Sequence, residues 1–295
     1  MAIEVLNAEL ELDAQAQLGE GPHWQGANAC LYWVDIDRGV LHKYVPGTGK
    51  DDAVEIGDKV SAVVPCGSGG LLLATRKGIC AYDLNSGKRR DLIDPEAHLA
   101  GNRFNDGKCD AAGRFWAGTM GLDGQSGTGA LYRMDAGDRI ERMIADVTCS
   151  NGIAWSLDNT VMYYIDSPTR QVVAYDYNLE NGAISGRRVA VDMTAEAGVP
   201  DGMTIDAEGK LWIAQWGGWQ VSRWDPLSGT KLASVQVQAE KVTSCAFGGE
   251  RLDVLYITTA RTGLSQEQLE KQPLAGGLFK VKPGVSGLSA HEFAG

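Results

Sequence analysis

The chain has 295 residues, and its 38 Asp+Glu against 27 Lys+Arg leave a formal charge of −11 with histidines neutral. That balance argues against nucleic acid or an anionic membrane as the main partner, since both need a clustered positive face. An apolar share of 44% with 22% charged residues argues against disorder, and 38 glycines, about twice ordinary usage, point to many tight turns.

In chain order, the opening MAIEVLNAELELDA has no basic segment followed by an apolar core, and no later stretch reaches the roughly 18 apolar residues of a membrane span. A soluble, cytoplasmic protein is expected. Within this opening, EVLNAELEL reads as a spare strand that pairs into the last repeat and closes a ring, since closure removes exposed edges. Cys30, Cys66, Cys80, Cys109, Cys149 and Cys245 lack CxxC spacing and read as buried reduced thiols. No Pro/Ser-rich or like-charge linker divides the chain, so one domain is expected over 1–295.

Short aromatic and β-branched runs then recur: LYWVD at Trp33, LLLAT at Leu73, RFWAGT at Trp116, MYYID at Tyr164, LWIAQ at Trp212 and LYITT at Tyr256. Their intervals are 40, 43, 48, 48 and 44 residues, a repeat period that decides the fold class. One unit, from Asp201 to Val237, spells out its grammar: GMTID, KLWIAQ, QVSRWD and KLASVQV are strands joined by AEG, WGGW and PLSGT. Four antiparallel strands repeated radially make a propeller blade, and six such units predict an all-β, six-bladed β-propeller. Only SQEQLEKQ (265–272) reads as a helix.

The innermost strands of a propeller surround its channel, so the residues just before each of them sample one place. The six segments are LGEGPHW, DKVSAVV, NRFNDGKCD, CSNGIAWS, VPDGMTID and TSCAFGG. Four bring side-chain oxygens: Glu20, Asn105 with Asp106, Asn151 and Asp201. Any one Asn-Gly or Asp-Gly is ordinarily a turn, but four equivalent positions agree. Carboxylates and amides gathered at a channel end suit a divalent cation with water in its open positions. The dispersed histidines and the missing HExxH pair argue against a histidine-zinc site. Such a cation polarises a carbonyl and acidifies water, and a neighbouring carboxylate takes the proton; a purely structural calcium would use the same residues. No GxSxG elbow offers covalent catalysis instead.

At these segments the chain resembles the family of regucalcin and the bacterial gluconolactonases, and most of all bacterial sugar lactonases. The matching text is LGEGPHW, NRFNDGKCDAAGRFWAGTM, SNGIAWS with YYID, VPDGMTIDAEGKLWIA, TSCAFGG and PLAGGLFKV, in order from residue 18 to about 282. The resemblance implies a metal-dependent aldonolactonase that hydrolyses a pentono- or hexonolactone. By matching motif, Glu20, Asn151 and Asp201 are the metal ligands, Asp201 doubles as general base, and Arg103 and Asn105 bind the sugar. The chain departs from the animal members after AGTM, where GLDGQSGTG leaves Asp123 as the counterpart of an acidic pair over the substrate. Trp216 or Trp219 of WGGW is a candidate stacking surface. The cation is expected to be calcium or zinc, with manganese, magnesium or ferrous iron as alternatives. The partner is a small sugar lactone; nucleic acid and membrane are not expected, and oligomeric state is open. Hydrolysis of other lactones or phosphotriesters, or calcium binding without catalysis, are the competing readings.

Overall fold

The computed structural model describes residues 3–295. It is all-β apart from short helical turns and one helix, Gln266–Lys271, inside the stretch read as helical. A capping box explains that helix: the Ser265 side chain accepts from Gln268 N–H while the Gln268 side chain accepts from Ser265 N–H.

Four sheets have four antiparallel strands each, and a nine-stranded sheet completes the architecture, which is that of a propeller. The larger sheet is joined at its middle by a single pair, Trp216 with Lys241. On one side of that pair run Val199–Ile205, Leu211–Trp216, Gln220–Asp225 and Thr230–Gln236; on the other, Lys241–Gly248, Val254–Ala260 and Leu278–Val281. The innermost strands are Gly19–Gln25, Val60–Pro65, Asn102–Cys109, Ser150–Trp155, Val199–Ile205 and Lys241–Gly248. Each touches the next and the last touches the first, so they form a closed ring. The six aromatic or leucine runs found in the sequence all lie in the strands second from the channel.

Two of the turns show how sequence sets this pattern. In DAAGRFW and DAEGKLW the aspartate closes the turn on itself: Asp110 accepts from Ala112 and Arg114 N–H, and Asp206 from Glu208 and Lys210 N–H, at 2.9–3.0 Å. Gly113 and Gly209 take φ of +76° and +73°, a conformation that L side chains resist. Six residues after each aspartate, Trp116 and Trp212 donate Nε1–H back to it at 2.8 and 2.9 Å. Both indoles are fully buried, so truncating either to alanine costs about 3–5 kcal/mol.

Ring closure uses both chain ends. Glu9–Leu12 pairs antiparallel with Leu278–Val281 as the outermost strand of the last unit, as EVLNAELEL suggested. Glu4–Asn7 instead runs parallel beside Thr230–Gln236. The C-terminal segment was not anticipated: Phe293 N–H donates to Pro65 O, Gly67 N–H to Phe293 O and Ala294 N–H to Gly113 O. It ties the second and third sheets together as a strap across one end of the ring.

Candidate active site

The site residues lie inside the innermost strands, not before them, and the reason is a repeated irregularity. Asn105 and Asp106 together oppose one residue, as do Asn151 with Gly152 and Asp201 with Gly202. In the first sheet Gly21 and Pro22 follow Glu20 in the same way. A β-bulge re-aims the side chain it carries, which is why bulges gather at functional sites. The glycines after Asn151 and Asp201 are a packing requirement: a Cβ on Gly152 would meet Met203 Cβ at 2.5 Å, and one on Gly202 would meet the backbone of Ser244 at 2.8 Å.

A second device anchors two of these strands. Asp35, ending LYWVD, accepts from Gln17 and Leu18 N–H at 2.8 and 3.1 Å. Asp166, ending MYYID, accepts from Thr148 and Cys149 N–H at 3.1 and 2.8 Å. Glu20 and Asn151 each stand two residues beyond the anchored amide, so one arrangement positions both.

Glu20, Asp106, Asn151 and Asp201 are all buried. Burial raises Glu20 from its usual 4.5 to about 8, with repulsion from Asp106 adding and the Gly21 N–H and Arg103 opposing. Asp201 stands well above its usual value from burial, then repulsion from Glu20 and Asp106. Asp106 is raised by burial and opposed by Lys108. Three buried carboxyls that repel one another need a positive charge, since buried charges are stable only when paired.

Asn151 supplies the clearest clue. Its Nδ2 donates to Ser167 Oγ at 2.9 Å, while its buried Oδ1 has no hydrogen-bond partner. Buried polar atoms are seldom left alone without a role. An orphaned neutral oxygen beside Glu20 and Asp201 fits a hard, oxygen-preferring cation. Among the described residues no cluster of three or more His, Cys, Asp and Glu forms a metal site; a set of two carboxylates and one amide falls outside that pattern.

Arg103 is buried with its guanidinium beside these carboxyls, donating through Nη1 to Phe104 O at 2.8 Å and Asn105 Oδ1 at 2.7 Å. Asn105 Nδ2 in turn donates to Ser150 O at 2.7 Å. Asn105 therefore holds the arginine, a use the sequence did not suggest. Cys149 lies against the same group, its thiol pushed up to about 12 by burial and then by Asp201. Asp123 is exposed in its own loop and accepts from Gln125 N–H at 3.0 Å; the structure does not bring it to the carboxyls. Trp219 is 40% exposed at φ +59°, and Lys241 Nζ lies 4.8 Å from the Trp216 ring centroid. A surface hollow of about 770 Å³ between the first and second sheets contains none of the site residues.

A ring of four-stranded sheets with an oxygen-rich, buried carboxylate and amide group on its innermost strands defines a β-propeller with a candidate cation site. The family described as SMP-30/Gluconolactonase/LRE-like region matches residues 18–261, and the chain belongs to it. It is 38% identical to human regucalcin over 296 residues, covering 98% of this chain and 99% of the relative. It is 37% identical over 290 residues, with the same coverage, to the Bacillus subtilis (strain 168) protein named "Putative sugar lactone lactonase YvrE". Among solved structures, a calcium-binding protein, regucalcin, from Agrobacterium tumefaciens str. C58 superposes with a TM-score of 0.95 at 27% identity, covering 99% of each chain. Among the described residues no helix is long and apolar enough to cross a membrane.

Proposed function

We propose that the chain hydrolyses a sugar-acid lactone, a pentono- or hexonolactone, to the open aldonic acid, with one divalent cation held by Glu20, Asn151 and Asp201. The observation that carries this reading is the buried, unpartnered Asn151 Oδ1 beside two carboxyls that burial and repulsion hold above their usual range. Calcium and zinc are the first candidates, then manganese, magnesium and ferrous iron. When bound, the cation supplies Lewis acidity to the ester carbonyl and acidity to a water.

The remaining work belongs to the chain. Asp201 accepts the proton of the attacking water, the general-base role that a positioned carboxylate fills. The water oxygen bonds to the carbonyl carbon, the ring C–O bond breaks, and the proton on Asp201 passes to the departing ring oxygen. Arg103, fixed through Nη1 by Asn105 and Phe104, keeps its other N–H groups for sugar hydroxyls. Burial of the group strengthens each of these electrostatic contacts.

We also read the larger sheet as two units joined at Trp216 and Lys241, which makes one six-bladed domain over 1–295. The six unpaired thiols fit a reducing, cytoplasmic setting. Acid release at controlled pH from a panel of pentono- and hexonolactones, before and after chelation, tests the proposal. Metal-dependent hydrolysis of at least one supports it. Cation binding with no hydrolysis of any lactone would overturn it in favour of a binding propeller.

A further inference from the structure

Beyond the bulges the innermost strands run on to the opposite end of the ring, where they form a second cavity. His23, Lys108, Thr204 and Phe247, with the C-terminal strap at Leu288–His291, line about 340 Å³, toward the small end of the ~300–1,000 Å³ typical of ligand pockets. Trp24 and Trp155 add aromatic wall. Although the chain carries a charge of −11, no Asp or Glu lines this space.

The basic groups here are the nitrogens of His23, Lys108 and His291, beside the neutral side chains of Ser156, Asn159, Thr204 and Ser289. Lys108 Nζ donates to a backbone carbonyl, Met203 O, at 2.6 Å; Asp106 acts on it only through space. His23 is buried and its Nε2 has no hydrogen-bond partner. Burial, with Lys108 and His291 nearby, keeps that imidazole neutral, at about 3, so it retains one N–H to donate. A counter-charge role toward Asp106 accounts for the ammonium. It does not account for the open space beside it, the aromatic walls or the missing carboxylates.

We propose that this cavity is a second ligand site, distinct from the Glu20, Asn151 and Asp201 group, for a small organic carboxylate with an apolar body. Lys108 and His23 receive the carboxylate, and Trp24, Trp155 and Phe247 cover the body. The strap at Leu288–His291 forms the rim.

The test uses the full chain, stripped of metal, with 4-fluorobenzoate as probe and neutral 4-fluorobenzamide as its control, followed by fluorine NMR. The carboxylate is expected to bind saturably and about tenfold tighter than the amide, the value of one charge-assisted hydrogen bond. Lys108→Met should erase that preference, Leu288→Trp should block both probes at the rim, and Asn151→Ala should change neither. Equal affinity of the two probes for the unaltered protein would overturn the proposal, as would 4-fluorobenzoate binding lost in Asn151→Ala. If Lys108→Met does not fold, Leu288→Trp decides, and unchanged binding there refutes the site.

Discussion

Asn151 and Ser167 are joined side chain to side chain: Asn151 Nδ2 donates to Ser167 Oγ at 2.9 Å, and Ser167 Oγ donates to Pro200 O at 2.6 Å. Fixing the amide nitrogen fixes the oxygen too. The orientation of Asn151 Oδ1 is thus set by a hydroxyl that also ties the strand carrying Asp201.

Ser167→Ala should therefore weaken cation affinity without touching the reacting groups. Partners that orient metal ligands are worth about 10–100-fold in affinity, so a loss of about tenfold is expected, with turnover at saturating metal within a fewfold of wild type. Calorimetric titration of the cation checks it. An unchanged dissociation constant would remove Ser167 from the positioning role.

Chelation should abolish lactone turnover and leave the β-sheet circular dichroism in place. The sheets are held by their own apolar clusters, such as Trp212, Val221, Val235 and Phe279, away from the carboxyls. Dichroism and rate are followed together as metal is removed. Full activity in a verified metal-free sample would refute the metal mechanism, and global unfolding would point to a structural ion.

The propeller grammar was legible because it is local. Trp116 and Trp212 stand at the same place in their units, and turn chemistry such as DAAGR and DAEGK is written in consecutive residues. The oxygens at Glu20, Asn151 and Asp201 were legible for a similar reason, since each precedes a glycine. That glycine was read as turn chemistry, whereas at Gly152 and Gly202 it answers the approach of a neighbouring strand. What stayed hidden depends on distance in sequence. Ser167 reaches Pro200, 33 residues on, and the strap residue Phe293 meets Pro65; no spacing rule announces either. Asn105 holds Arg103 from the bulge two residues further along the strand, and the sequence does not say which side chains that bulge brings together.

The raised carboxyls predict an unusual pH profile. Glu20 goes from 4.5 in the ordinary state to about 8 when folded, and Asp201 moves in the same direction. Between those values the folded chain binds more protons than the unfolded one, so its stability falls as pH rises. This contribution is complete below about pH 4.5 and lost by about pH 8. In the chelated protein the thermal midpoint should drop from pH 5 to pH 8, and a saturating divalent cation should flatten the drop by binding the ionised form. A chelated midpoint that is level across this window would contradict the arrangement.

Arg103→Ala should mainly raise the Michaelis constant, because a guanidinium holding hydroxyls acts on ground and transition states alike. Cation affinity should stay close to that of wild type or rise, since a positive charge beside Glu20 and Asp201 is removed. Steady-state kinetics with a parallel metal titration separates the two effects. A fall in kcat with an unchanged Michaelis constant would assign Arg103 to the transition state alone.

Asp201→Asn is the sharpest case, since it keeps the size and one oxygen ligand but removes the negative charge and the proton acceptor. As both ligand and base, Asp201 should make turnover fall by about 100-fold or more even at saturating metal, the scale of general-base contributions. Metal binding should weaken yet remain measurable, because Glu20 and Asn151 still supply oxygens. Excess metal should therefore saturate the site. If Asp201 serves only as a ligand, that saturation restores most of the rate. An Asp201→Asn enzyme with full metal occupancy that turns over an aldonolactone within a fewfold of wild type would place the base elsewhere, and Asp106, buried beside it and also raised, would be the next residue to replace.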